Sequence, residues 1–208
     1  SYWLTLLLSI PTAGFMVRTF IIFHDCGHGS FFKSKHANLI VGIITGILTY
    51  TPWQLWWHEH NVHHANAGNL DKRGIGDVDT WTVEEYLAAP FWKKVWYRIM
   101  RHPLVMFTIG AMTVFAIVKR IPLPSHGKKE RASIWWTNLA LLLIVSGLIW
   151  LVGWKTYLLV QLPVLLFGTS AGVWMFYVQH NYEGVYWERQ ENWDFYKAAM
   201  NGSSLYEL

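Results

Sequence analysis

Cysteine is all but missing from this 208-residue chain, with Cys26 standing alone. That excludes an intramolecular disulfide and any cysteine-built zinc or iron–sulfur site, and leaves the redox compartment open. Charge is scarce as well: Asp, Glu, Lys and Arg make up 14% of the residues, against 53% hydrophobic residues and 14 Trp. Ordinary soluble domains carry about 25% charged residues, so this chain reads as one that lives in lipid. No positively charged stretch opens the sequence at Ser1, so no signal peptide is read there, and no internal repeat is evident. The net charge of +4 could suggest nucleic acid. Its basic residues flank apolar runs, however, where they meet lipid headgroups or the cytoplasmic face, and nucleic acid is discounted as a partner.

Apolar runs are what the chain has in place of charge, and a bilayer core takes about 20 helical residues to cross. Tyr2 to Phe23, Ala132 to Val152 and Thr156 to Val178 are long enough; Ala37 to Tyr50 and Leu104 to Val118 are short. The turn Gly153-Trp154-Lys155 joins the last two long runs into an antiparallel hairpin, with Pro163 tolerable inside a membrane bundle. The loop Lys119 to Arg131 is basic and so is expected in the cytoplasm. The expectation is three crossings with two non-spanning apolar segments. Ala65 to Thr82, rich in Gly and Asp, reads as a cytoplasmic excursion, and Pro90 to His102 as a helix lying in the interface.

Five histidines crowd against these runs, in His24-Asp25-Cys26-Gly27-His28 and His60-Asn61-Val62-His63-His64. On a helix, residues i and i+4 share a face, so His24 can converge with His28 and His60 with His64, with His63 beside them. Imidazole suits iron, zinc or copper rather than magnesium or calcium. Five donors exceed the three or four protein ligands of a single zinc site, so a two-metal centre fits better. His58 does not open a zinc-protease HExxH, because Val62 stands where the second histidine belongs. His36, His58, His102 and His126 are read as bystanders, and Cys26 as a small packing residue. Trp53, Trp56 and Trp57 are assigned to an interfacial aromatic belt rather than a substrate channel. Asp25, Glu59 and Glu183 are adjacent candidates to accept the outer ring N–H of a ligand histidine, while Asp77 and Asp79 receive no role.

The two clusters with their flanking words, Gly29-Ser30-Phe31-Phe32 after the first and Gly68-Asn69-Leu70-Asp71 with Gly74-Ile75-Gly76-Asp77 after the second, resemble the membrane-bound fatty acid desaturases. So does the closing stretch from Gln179-His180-Asn181-Tyr182-Glu183 to Trp193-Asp194 and Asn201-Gly202-Ser203-Ser204. The likeness covers nearly everything from Gly14 onward and is nearest to the acyl-lipid omega-6 (delta-12) branch.

That resemblance implies an oxygen-dependent enzyme with two non-haem irons, desaturating a membrane lipid acyl chain with electrons from a ferredoxin-like or cytochrome-b5-like donor. His24 and His28 match the first histidine box, His60, His63 and His64 the second, and His180 a further ligand position. The third box does not occur within residues 1–208. The chain is therefore expected to be a fragment, truncated at both ends, of a single desaturase domain, and to be inactive alone. The expected fold is an all-α integral membrane helical bundle, multi-pass, with a cytoplasmic helical cap carrying the boxes. A related diiron acyl hydroxylase, an alkane or carotenoid oxygenase, and a non-catalytic truncated copy remain as alternatives.

Overall fold

A computed structural model describes residues 1–204, which are helical with no strand among them. Three helices are long and apolar enough to cross a membrane: α1 (Tyr2–Gly27), α7 (Lys128–Val152) and α8 (Trp154–His180). These correspond to the three long runs of the sequence. Between them lie α2 (Lys35–Leu48), α3 (Trp53–Asn66), α4 (Val83–Ala88), α5 (Phe91–Met100) and α6 (Ala111–Ala116), and α9 (Phe195–Asn201) follows. The chain bends by 102° between α2 and α3.

Three details refine or differ from the sequence reading. The helical hairpin turns on Gly153 alone, whose φ of 81° suits a residue without a side chain, so Trp154 and Lys155 already belong to α8. Leu104 to Val118, read simply as a short apolar run, forms a π-helical turn, Val105–Gly110, followed by α6. Trp53 and Trp56 do not form a belt. Trp53 is buried with Phe23 and Cys26, and Trp56 packs on that cluster, so only Trp57 is exposed. Gly42 makes this possible: a Cβ there would come within 1.9 Å of the Trp53 ring.

The chain divides into two compact units. The first comprises residues 1–57 and 103–172 and carries the apolar helices. Its tightest point is the turn from α2 to α3, where non-helical backbone must be satisfied internally if it lies at membrane depth. Thr51 N–H donates to Gly46 O (2.7 Å), Thr51 Oγ1 to Thr49 O (3.0 Å) and Arg120 Nη2 to Tyr50 O (2.6 Å). Ser133 Oγ accepts the Gln54 N–H in the first turn of α3 (3.1 Å). Burial lowers the Arg120 guanidinium to about 10, which still leaves it charged at neutral pH.

The second unit, residues 58–102 and 173 onward, is built from loops and short helices. Backbone bonds tie the segment after α3 to the segment after α8: Glu188 N–H to Gly68 O and Leu70 N–H to Glu188 O, both 2.9 Å. Between them the Asn69 amide is fully buried and donates to Gln190 Oε1 (3.0 Å). Thr82 and Glu85 cap α4 reciprocally, and Glu85 also holds Arg73 at 2.5 Å. α5 is amphipathic: Phe91, Trp92 and Trp96 are exposed, while Lys94 and Arg98 lie over the Tyr86 ring.

Candidate metal centre

α1 continues to Gly27 and is capped by His28, whose N–H bonds His24 O (3.1 Å). The helical register predicted for the first cluster is therefore present, and His24 Nε2 meets His28 Nε2 at 3.2 Å. α3 runs unbroken through the second cluster, and His60 Nε2 meets His64 Nε2 at 3.0 Å. His63 points elsewhere on the same helix. It is buried, and its Nε2 lies 3.3 Å from Nε2 of His180, the last residue of α8. All six histidines singled out in the sequence thus have Nε2 facing another's Nε2, in three pairs.

Those separations fit metal ligands. Two imidazole nitrogens on one metal, each at about 2.1 Å as on zinc, are about 3.0 Å apart at right angles and about 3.4 Å at the tetrahedral angle. Ring orientation fits too. His24 Nδ1 lies 3.1 Å from Asp25 Oδ1, His63 Nδ1 bonds Asp77 Oδ1, and His180 Nδ1 bonds Gly202 O at 2.9 Å. A backbone carbonyl can only accept, so the His180 proton sits on Nδ1 and its Nε2 carries a lone pair. An ionised Asp77 does the same for a neutral His63. Two bare acceptors then face each other at 3.3 Å, which requires a proton or a metal cation between them.

A cavity of about 20 Å³ adjoins this pair, lined by His63, Asp77, His180, Tyr186 and Gly202 among others. Such a volume admits a single water or ion. The Phe176 ring packs against both imidazoles, with ring centroids 5.4 Å from His63 and 5.1 Å from His180. The larger open groove, about 440 Å³, is lined by Arg73, Trp81, Glu85, Pro90 and Lys93 and includes none of the six histidines. His28 is held below the ordinary imidazole range by desolvation and by its neighbour His24, against a smaller opposite pull from Asp25. Its neutral form, the one that binds metal, is favoured.

Of the carboxylates proposed to orient ligands, Asp25 contacts His24, whereas Glu183 is exposed at a turn. Sequence reasoning gave no role to Asp77 or Gly202. Both lie in words quoted for the family likeness, Gly74-Ile75-Gly76-Asp77 and Asn201-Gly202-Ser203-Ser204, and that position was the available signal. Cys26 is buried in the apolar cluster, as a packing residue should be. Among the bystanders, His36 and His58 are exposed and His126 Nδ1 accepts the Leu123 N–H (3.1 Å).

The fatty acid desaturase family model matches residues 1–206. A fatty acid desaturase of Bacillus subtilis is 48% identical over 208 residues, all of this chain and 59% of the relative. An sn-1 acyl-lipid omega-3 desaturase (ferredoxin) of Synechocystis is 29% identical over 88% of this chain and 52% of the relative. An sn-1 oleoyl-lipid 12-desaturase from the same organism is 32% identical over 45% of this chain. Identities to the omega-3 and 12-desaturase relatives are similar, so they do not single out the delta-12 branch. The chain spans between half and three-fifths of the first two relatives' length. No solved structure matches.

Proposed function

This chain belongs to the fatty acid desaturase family, and on that premise we propose that the protein carrying it introduces a double bond into the acyl chain of a membrane lipid. In this reading His24, His28, His60, His63, His64 and His180 are ligands of two non-haem irons, with dioxygen as co-substrate. The family resemblance assigns further ligands to a third histidine box, a motif that does not occur within residues 1–208. The irons supply the oxidising power that an unactivated methylene C–H needs and that no side-chain base has.

The observation that carries the reading is the partly buried His63–His180 pair, whose two Nε2 atoms face each other at 3.3 Å while both Nδ1 atoms are engaged elsewhere. Helix α3 gives further support. The His24 ring packs on Trp56 with centroids 5.7 Å apart, and His60 and His64 follow Trp56 at one-turn and two-turn steps along the same helix face. The chain's own residues would bind through Nε2; Asp25, Asp77 and the Gly202 carbonyl fix the rings of His24, His63 and His180 through Nδ1, and Phe176 packs against His63 and His180.

The three apolar helices fit a multi-pass protein, with the histidines on the cytoplasmic side by the positive-inside argument. The name of the Synechocystis relative supports a lipid-linked acyl substrate and a ferredoxin-like electron donor. Desaturation is preferred to hydroxylation because the matched relatives are named as desaturases.

The test is expression of the whole protein in a host lacking desaturases, with acyl chains analysed by gas chromatography and mass spectrometry. New unsaturated acyl chains are expected. An unchanged profile with the protein present in the membrane fraction, or an oxygen-bearing chain without a new double bond, contradicts the reading.

A further inference from the structure

Asp77 is the least accounted-for acidic residue near the histidines. It stands fourteen positions after His63, outside any helix, yet its carboxylate is bonded to His63 Nδ1. The two side chains retain only 13% and 3% of their accessible surface. Asp79, two residues on, is exposed and accepts the Trp81 indole N–H (3.1 Å). Strict strand alternation would put both carboxylates on one face; the bend at residues 74–77 instead turns Asp77 inward while Asp79 stays exposed.

The loop is shaped to deliver that carboxylate. Gly76 has φ +74°, and a Cβ there would lie 3.0 Å from Glu59 O and 3.1 Å from His63 Cβ. Only a residue without a side chain lets the backbone come this close to α3 in that conformation. The next residue's side chain is then brought beside the His63 ring. Asp25, by contrast, reaches the ring of its own chain neighbour and is far more exposed.

We propose that Asp77 is a positioning residue for the metal centre. By accepting the Nδ1 proton of His63 it fixes the tautomer that leaves Nε2 bare toward His180, and its negative charge makes that nitrogen a stronger ligand. The inference rests on the metal reading given above. Its alternative is that Asp77 only fastens the Gly74–Asp77 loop to α3, a structural role that metal spectra would not register.

The experiment uses the whole protein in nanodiscs, with cobalt(II) as a spectroscopic probe, comparing the parent with Asp77→Asn, Asp77→Glu and, as a surface control, Asp79→Asn. Asp77→Asn keeps the shape and removes the charge. It is expected to bind cobalt about 10- to 100-fold more weakly with a shifted ligand-field spectrum, while its metal-free unfolding stays cooperative. Asp77→Glu is expected to restore part of the affinity, and Asp79→Asn to match the parent. As an independent reading, ¹⁵N spectra of the metal-free protein should show the Nδ1–H tautomer at His63 in the parent and its loss in Asp77→Ala. Parent-like affinity and spectrum in Asp77→Asn overturn the role of Asp77 and leave the metal reading standing. A parent protein that takes up no cobalt overturns the metal reading itself.

Discussion

His24–His28 and His63–His180 reach nearly the same Nε2 separation, 3.2 and 3.3 Å, by opposite means. The first pair sits on one helix end four residues apart, with its carboxylate supplied by the intervening neighbour Asp25, and it is partly open to solvent. The second joins residues 117 apart, is largely buried, and takes its outer acceptors from Asp77 and Gly202 in two separate loops. A local pair costs little to arrange because helix geometry already provides it. The distant pair exists only if the whole second unit folds, so its stability and its ligand geometry are one property.

The comparison breaks most readily at His63. His63→Ala removes a buried ring and strands the Asp77 carboxylate, so a loss on the order of 3 kcal/mol is expected in addition to loss of metal. His28→Ala should also impair metal binding, yet change stability by no more than about 0.5 kcal/mol. Denaturant unfolding of both variants in detergent checks this, and equal destabilisation would erase the distinction.

Gly202→Ala comes next. Its new methyl group would lie 2.3 Å from Ala198 O, so the Gly202 carbonyl must shift away from His180 Nδ1. About 1–3 kcal/mol of stability should be lost, with weaker metal binding by the His63–His180 pair. A melting curve together with a metal titration measures both.

Asp25→Asn should have less effect than its counterpart at Asp77. The Asp25 side chain keeps 41% exposure, so water can replace part of what is lost, and a change of only a few-fold in cobalt affinity is expected. An effect as large as that of Asp77→Asn would show that burial does not separate the two carboxylates.

The smallest effect concerns the frame around Asn69. The Gln190 backbone N–H, and then Arg189, hold the Asp71 carboxyl below its ordinary range. Its contribution is therefore complete above the unfolded value near 3.8 and is lost as pH falls through the lower folded value. Melting of the parent and Asp71→Asn should converge on acidification below pH 4, and high salt should abolish the slight difference above it.

What could be read from the sequence divides along the same line. The three long apolar helices and the His24–His28 and His60–His64 pairs follow from run length and i, i+4 spacing, both local properties. His180 is reachable from the hairpin topology, which returns the chain to the side of the other histidines, and from family likeness, because no spacing rule links it to His63. No sequence signal gives Asp77 a role, since its position depends on how closely Gly76 lets a loop approach α3. Trp53 and Trp56 were assigned to a belt because composition cannot distinguish a tryptophan facing lipid from one that fills the space beside Gly42.

The most direct measurement is X-ray absorption at the iron edge on the whole purified protein, with His63→Ala alongside. The account predicts about two irons per chain in a nitrogen-rich first shell with the scattering signature of several imidazoles, weakened in the variant. Iron bound through oxygen alone, or a parent protein with no tightly held metal, would contradict it.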